Sequence, residues 1–174
     1  MSDPAPPAFR PAATGPDPLA QGGLRWEAVP LLAYKEDATT PFRAVTRQVL
    51  FHTPELAAEW RYFEVAAGGY STLERHEHAH AVMILTGRGR ALVGEAVQAV
   101  HPFVLVSIPG WTWHQFRAAP DAPLGFLCLV NVVRDKPQLP SAADLATLRR
   151  NPDIAAFLDG GGESNTRQPM QTRR

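Results

Sequence analysis

The sequence predicts an all-β fold closed into one small barrel, and three observations carry that prediction. Short apolar runs recur at a spacing of about 8–12 residues. Gly, Pro and Asn punctuate them, and helical patterning is confined to the end of the chain. The runs are RAVTRQVLF (43–51), RYFEVAA (61–67), AVMILTG (81–87), RALVG (90–94), VLVSIP (104–109) and LGFLCLVNVV (124–133). With 174 residues, 45% hydrophobic and 20% charged, the chain has the size and balance of one globular domain with tails.

In chain order, residues 1–23 carry six prolines and little that can pack, which predicts a disordered N-terminal arm. Residues 24–134 hold the strand-like runs and make the barrel domain. Residues 135–159 make a helical extension. Ser141 caps SAADLATLRR, with Asp144 near its start, and Asn151 caps PDIAAFL, with Pro152 at the first position. These helices are expected to cover an outer face or edge of the barrel. Residues 160–174 make a flexible tail. Within 81–85 both faces of the strand are apolar: Ala81, Met83 and Leu85 on one, Val82 and Ile84 on the other. A barrel has one inside, so the outer set needs cover, and a homodimer is the expected assembly.

Charge narrows the choice of partners. Lys plus Arg and Asp plus Glu number 17 each, for a formal net charge of zero. The arginines are scattered rather than clustered on one stretch, which argues against nucleic acid. The apolar runs are too short to span a bilayer, so no membrane partner is expected. Residues 1–20 lack the apolar stretch of a secretory signal, and Cys128 is the single cysteine. A cytoplasmic protein with a small-molecule ligand is therefore expected.

The chemistry-bearing feature is a group of histidines. His76, His78 and His80 alternate in RHEHAH, and His114 follows in IPGWTWHQF. Side chains two apart on an extended segment share a face, so such rings converge on one volume, as imidazole ligands of a metal must. His52 and His101 stand alone and read as surface or core residues. Trp111, Trp113 and Phe116 flank His114. Strand parity turns Thr112 and Phe116 inward and Trp113 and Gln115 outward, so the aromatic group reads either as an apolar wall around the metal or as ordinary core and dimer-face packing. Tyr70, Phe116 and Cys128 are pocket candidates. Arg61, Arg88 and Arg90 meet an anion only if one of them points inward, and solvated strand positions are the plainer reading.

These residues resemble the two motifs of the cupin family, G-x5-H-x-H-x3-4-E-x6-G and G-x5-P-x-G-x2-H-x3-N. The segment GGYSTLERHEHAHAVMILTGRG fits the first in two registers. In one, His76 and His78 form the H-x-H pair, Val82 takes the glutamate position and Gly89 closes, with the opening glycine misplaced by one. In the other, Gly68 opens, Glu74 and His76 form the pair, His80 takes the glutamate position and Gly87 closes. Every spacing is then met, with His and Glu exchanged. The second motif is met at Pro109 and His114, whereas Phe103, Trp111 and Ala118 replace its two glycines and its asparagine.

The resemblance covers about residues 60–133. It implies a cupin-type double-stranded β-helix, or jelly roll, with short C-terminal helices. It also implies one divalent metal ion per chain, Mn, Fe, Ni, Zn or Cu, on Glu74, His76, His80 and His114. His78 is the alternative ligand, otherwise turned away in the bend between the ligand-bearing strands. The activity implied is that of a metal-dependent enzyme on a small metabolite, first a dioxygenase or related oxidoreductase. A lyase, isomerase or hydrolase, or a non-catalytic small-molecule-binding barrel, are the alternatives.

Overall fold

The computed structural model describes residues 12–16, 21–35, 41–53 and 55–160. Its elements are β1 (Ala12–Pro16), β2 (Gln21–Trp26), β3 (Leu32–Ala33), β4 (Arg43–Phe51), β5 (Ala58–Tyr70), β6 (His80–Gly87), β7 (Gly89–Val93), β8 (Ala96–Val100), β9 (Leu105–Ile108), β10 (His114–Ala118), β11 (Leu124–Asn131), α1 (Ala142–Leu148) and α2 (Pro152–Leu158). β1 and β2 pair with each other. The remaining strands form one sheet in the order β8-β7-β10-β5-β11-β6-β9, with β4 also on β5 and β3 on β4.

The long strand β5 makes this sheet curl. Its first part pairs with β4 and β11, whereas Tyr70 at its end pairs with Arg117 of β10. Gly68, at φ 69°, supplies the left-handed residue just before that change of partner. Curling brings inner faces together: Phe63, Val65, Val82, Ile84, Phe116, Leu124 and Phe126 share one buried cluster with Ala91 and Val100. Antiparallel register sets who faces inward. On β11, Leu124, Phe126 and Cys128 lie opposite Val65, Phe63 and Arg61 of β5. Cys128 and Arg61 therefore point into the barrel together.

The helices take the outer-face position predicted for them. Leu148 of α1 and Ile154 and Phe157 of α2 pack with Leu73 and with Leu92 of β7 in a second buried cluster. Ser141 and Asn151 are the caps, with Asp144 closing a capping box and Pro152 opening α2.

The N-terminal region departs from the expectation of a disordered arm over 1–23. Residues 12–16 pair with 21–26 as a hairpin. The physical reason lies on the outer face of β4 and β5, where Gln48, Tyr62 and Glu64 are buried polar groups that need partners. The Gln48 amide donates to Leu24 O at 2.9 Å and accepts from Trp26 N at 3.3 Å, and Arg25 lies 3.6 Å from Glu64. Trp26 meets the Tyr62 ring edge-on. Gly23 passes so close that a Cβ there would overlap the Glu64 carboxylate. Residues 1–11, 17–20 and the tail from 161 onward lie outside the described residues.

Candidate metal centre

Five titratable side chains meet at one end of the barrel interior. Glu74 and His114 form an isolated bridge between neighbouring backbones, and His80 begins β6. His76 lies between them, buried, with its ring centroid 4.6 Å from that of His80 and 4.9 Å from that of His114. Ligand atoms of Glu74, His76 and His114 lie within 4.8 Å of one another, and so do those of His76, His78 and His80. His76 belongs to both groups.

The position of His78 corrects the expectation that the bend turns it away. Its ring stacks flat on His76 with centroids 3.7 Å apart. Asp135 does this work. Its carboxylate lies 2.6 Å from His78 Nδ1 and accepts from the backbone N–H of Glu77 at 2.8 Å. The Glu77 N–H is the main reason that the Asp135 carboxyl is held well below the usual range, and the bonds from His78 add to it. A carboxylate on one ring nitrogen leaves the other facing the cluster, the arrangement that orients many metal-ligating histidines.

The imidazoles suit a metal on two counts. First, Nε2 of His76 and Nε2 of His80 are buried and have no hydrogen-bond partner. Buried polar atoms are rarely left so, and a metal would satisfy both. His76 Nδ1 lies 2.8 Å from His78 O, and His114 Nδ1 lies 2.9 Å from Thr112 O, so each ring is oriented by the backbone through its other nitrogen. Second, the rings are kept neutral, the form that binds metal. Burial, and then His114 and His78, pull His76 down to about 4. Burial followed by the neighbouring histidines lowers His80, and burial lowers His114. The Glu74 carboxylate is engaged on both oxygens, by the Lys35 ammonium and by the Tyr34 hydroxyl. Burial, then the Glu74 charge, pushes the Tyr34 phenol up.

These shifts set a pH dependence in the metal-stripped protein. His76 titrates near about 6.5 when unfolded and near about 4 when folded. Between those values the unfolded chain holds the extra proton, so stability falls as pH drops. The loss is about 1.4 kcal/mol per pH unit for each histidine held neutral. Thermal unfolding of stripped protein should therefore show a falling melting temperature from about pH 6.5 downward. A flat profile between pH 7 and 5 would contradict neutral buried histidines.

The cluster forms one end of a cavity of about 160 Å³. Phe116 lines it, stacked on Phe126 at 4.6 Å, which in turn stacks on Phe63. Cys128 lines it too, with Sγ 3.3 Å from His80 Nδ1 and 3.7 Å from Arg61 NH2. Burial pushes the Cys128 thiol up, and Arg61 works against that. Arg61 is the inward-pointing arginine of the three named from sequence. Arg88 pairs with Asp121 at the surface, and Arg90 lies over Phe157 of α2.

One expectation about the pocket is corrected. Tyr70 does not line it: it falls on the outer face of β5 with Tyr62 and Glu64, and its ring lies under the Arg117 guanidinium, 4.6 Å away. Trp113 packs with the helices beneath Arg75, and Trp111 is half exposed, so Phe116 alone of that aromatic group walls the site. The sequence reading missed Tyr34, Lys35, Arg47, Arg134 and Asp135, all of which line the cavity. They come from the middle of β4 and from the loops after β3 and β11, and only the fold brings them together.

Comparison with known proteins agrees with this architecture. The cupin domain family matches residues 61–130. The chain is 66% identical over 140 residues to the 1-methylthio-D-xylulose 5-phosphate methylsulfurylase of Rhodospirillum rubrum, covering 80% of this chain and 90% of that protein. A cupin-2 domain structure from Rhodospirillum rubrum superposes with a TM-score of 0.75 at 67% identity, over 78% of this chain and 91% of that one. A cupin 2 conserved barrel protein from Rhodopseudomonas palustris superposes with a TM-score of 0.76 at 55% identity, over 86% and 98%. Matched segment, curled sheet and this level of identity lead to one conclusion: the chain belongs to the cupin domain family.

Proposed function

We propose that this protein is a metal-dependent enzyme that cleaves the carbon–sulfur bond of a small phosphorylated methylthio-ketose. The observation that carries the reading is a free thiol, Cys128, set 3.3 Å from a histidine of the cluster in an aromatic-walled cavity. The similarity to a methylsulfurylase supports the sulfur-bearing substrate and moves the leading reading from dioxygenase to C–S chemistry. The proposed ligands are His76, His80 and His114, with His78, oriented by Asp135, as the fourth. Glu74 then serves as a carboxylate beside the metal, held by Lys35 and Tyr34. A divalent ion, when bound, supplies Lewis acidity toward a carbonyl or enolate oxygen. The chain's own part is to hold the four imidazoles, to wall the site with Phe63, Phe116 and Phe126, and to present the thiol.

The test is incubation of protein reloaded with Mn, Fe, Ni, Zn or Cu in turn with a 1-methylthio-ketose 5-phosphate and an external thiol, which is the reductant. The thiol sulfur takes the methylthio group as a mixed disulfide, and the carbon, left with the bonding pair as an enolate, takes the proton. Mass spectrometry should show metal-dependent loss of the methylthio group. Intact substrate with every metal would remove the reading.

The proposed assembly is a homodimer. The helices cover the β7 side, which leaves the outer faces of β6 and β9 without cover from them: Met83 lies directly across from Leu105, and both are exposed, as is Phe103 nearby. Light scattering at tens of micromolar should give twice the chain mass, and a monomer would overturn it.

A further inference from the structure

The same cavity also carries positive charge beside the cluster, and Arg61 reaches Cys128 Sγ at 3.7 Å. Arg47, Arg61 and Arg134 line it, with Lys35 near the histidines, against the carboxylates of Glu74 and Asp135. Both carboxylates are committed, Glu74 to Lys35 and Asp135 to His78. Arg61 is 8% exposed, and its Nε is buried with no hydrogen-bond partner. A buried guanidinium is expensive unless anions offset its charge, and the anion nearest this Nε is Glu59. Glu59, itself buried on the inward face of β5, lies 3.6 Å from Arg61 and 3.4 Å from Arg134 through the same oxygen. One carboxylate thus holds two guanidinium groups side by side and neutralises only one of them. Arg134 is fixed further by donating to Asn131 O at 2.7 Å. Two planar forks at one wall of the cavity are the geometry that receives a tetrahedral oxyanion through paired charge-assisted hydrogen bonds.

We infer that Arg61 and Arg134, positioned by Glu59, are the receptor for the phosphate monoester of this protein's ligand. The inference deepens the functional reading above by assigning the phosphate end of the substrate.

The experiment is titration of the full-length protein with glycerol 3-phosphate, and with glycerol as the uncharged control, by calorimetry at fixed ionic strength. The wild type should bind the phosphate monoester and not glycerol. Arg134→Gln and Arg61→Gln should each weaken binding by about tenfold or more, the value of a lost charged hydrogen bond. Arg134→Lys should recover part of the loss, and Arg88→Gln, at the surface, should recover the wild-type value. Arg134 is partly exposed, so its variants keep the test decisive if Arg61→Gln fails to fold. No binding by wild type, or unchanged binding in both Gln variants, overturns the assignment. The two readings also fail separately. A protein that binds glycerol 3-phosphate through these arginines but leaves the methylthio-ketose intact loses the reaction and keeps the receptor. One that cleaves the substrate with unchanged KM in both variants loses the receptor alone.

Discussion

Replacing His76, His80 or His114 by alanine should each remove nearly all bound metal, and with it the proposed activity. The fourth position is where the ligand set implied by the motif spacing and the set proposed above differ, and it gives the sharper result. His78→Ala should weaken metal binding by about 100-fold or more, beyond what the loss of an orienting neighbour costs. Glu74→Gln keeps the volume and the bond from Lys35 possible, and should keep metal affinity within about tenfold. Asp135→Asn should fall between them, because it leaves His78 in place but loosens its ring. Metal content of the variants after identical reloading, followed by competition with a chelator, measures all of this. Full metal in His78→Ala with loss in Glu74→Gln would restore the Glu74, His76, His80, His114 set implied by the motif spacing. Full metal in His80→Ala and His114→Ala together would remove the centre itself.

Cys128→Ser should lower the rate of methylthio release by about three orders of magnitude or more, while metal content stays at the wild-type level. Serine is close to cysteine in size, and the site already offers it partners: Arg61 NH2 lies 3.7 Å from Sγ and His80 Nδ1 lies 3.3 Å away. A loss of activity with metal and melting temperature preserved therefore assigns the effect to the thiol. Activity within tenfold of wild type would mean that Cys128 is only a small apolar residue of the wall, and the carbon–sulfur reading would lose its main support.

Much of the barrel is legible in the sequence because strand alternation is local. On β6, Val82 and Ile84 are buried and Met83 is exposed, as period-two patterning requires. The helix caps are equally local, since Ser141 and Asn151 bond to backbone within a few residues. The motif turns also survive the loss of their glycines. Phe103 and Trp111 stand where the family usually has glycine, and both adopt positive φ, at 70° and 59°, with exposed side chains. The backbone tolerates about 1–2 kcal/mol of strain at each.

The sequence by itself determined the all-β class, the two capped helices and the histidines that can bind a metal. Each of these depends on spacing along a few residues. The tertiary structure alone decided which side chains share the cavity. His78 comes in because Asp135, 57 residues away, fixes its ring, and Arg61 comes in because the register of β5 on β11 sets it opposite Cys128. Tyr70 goes out because it falls on the outer face of β5 with Tyr62 and Glu64, where its ring meets the Arg117 guanidinium. The outer face of β5 recruits the N-terminal hairpin through buried Gln48, Tyr62 and Glu64, a demand that no local pattern in residues 1–23 announces. Long-range pairing and the satisfaction of buried polar groups act between segments, and only folding brings those segments together.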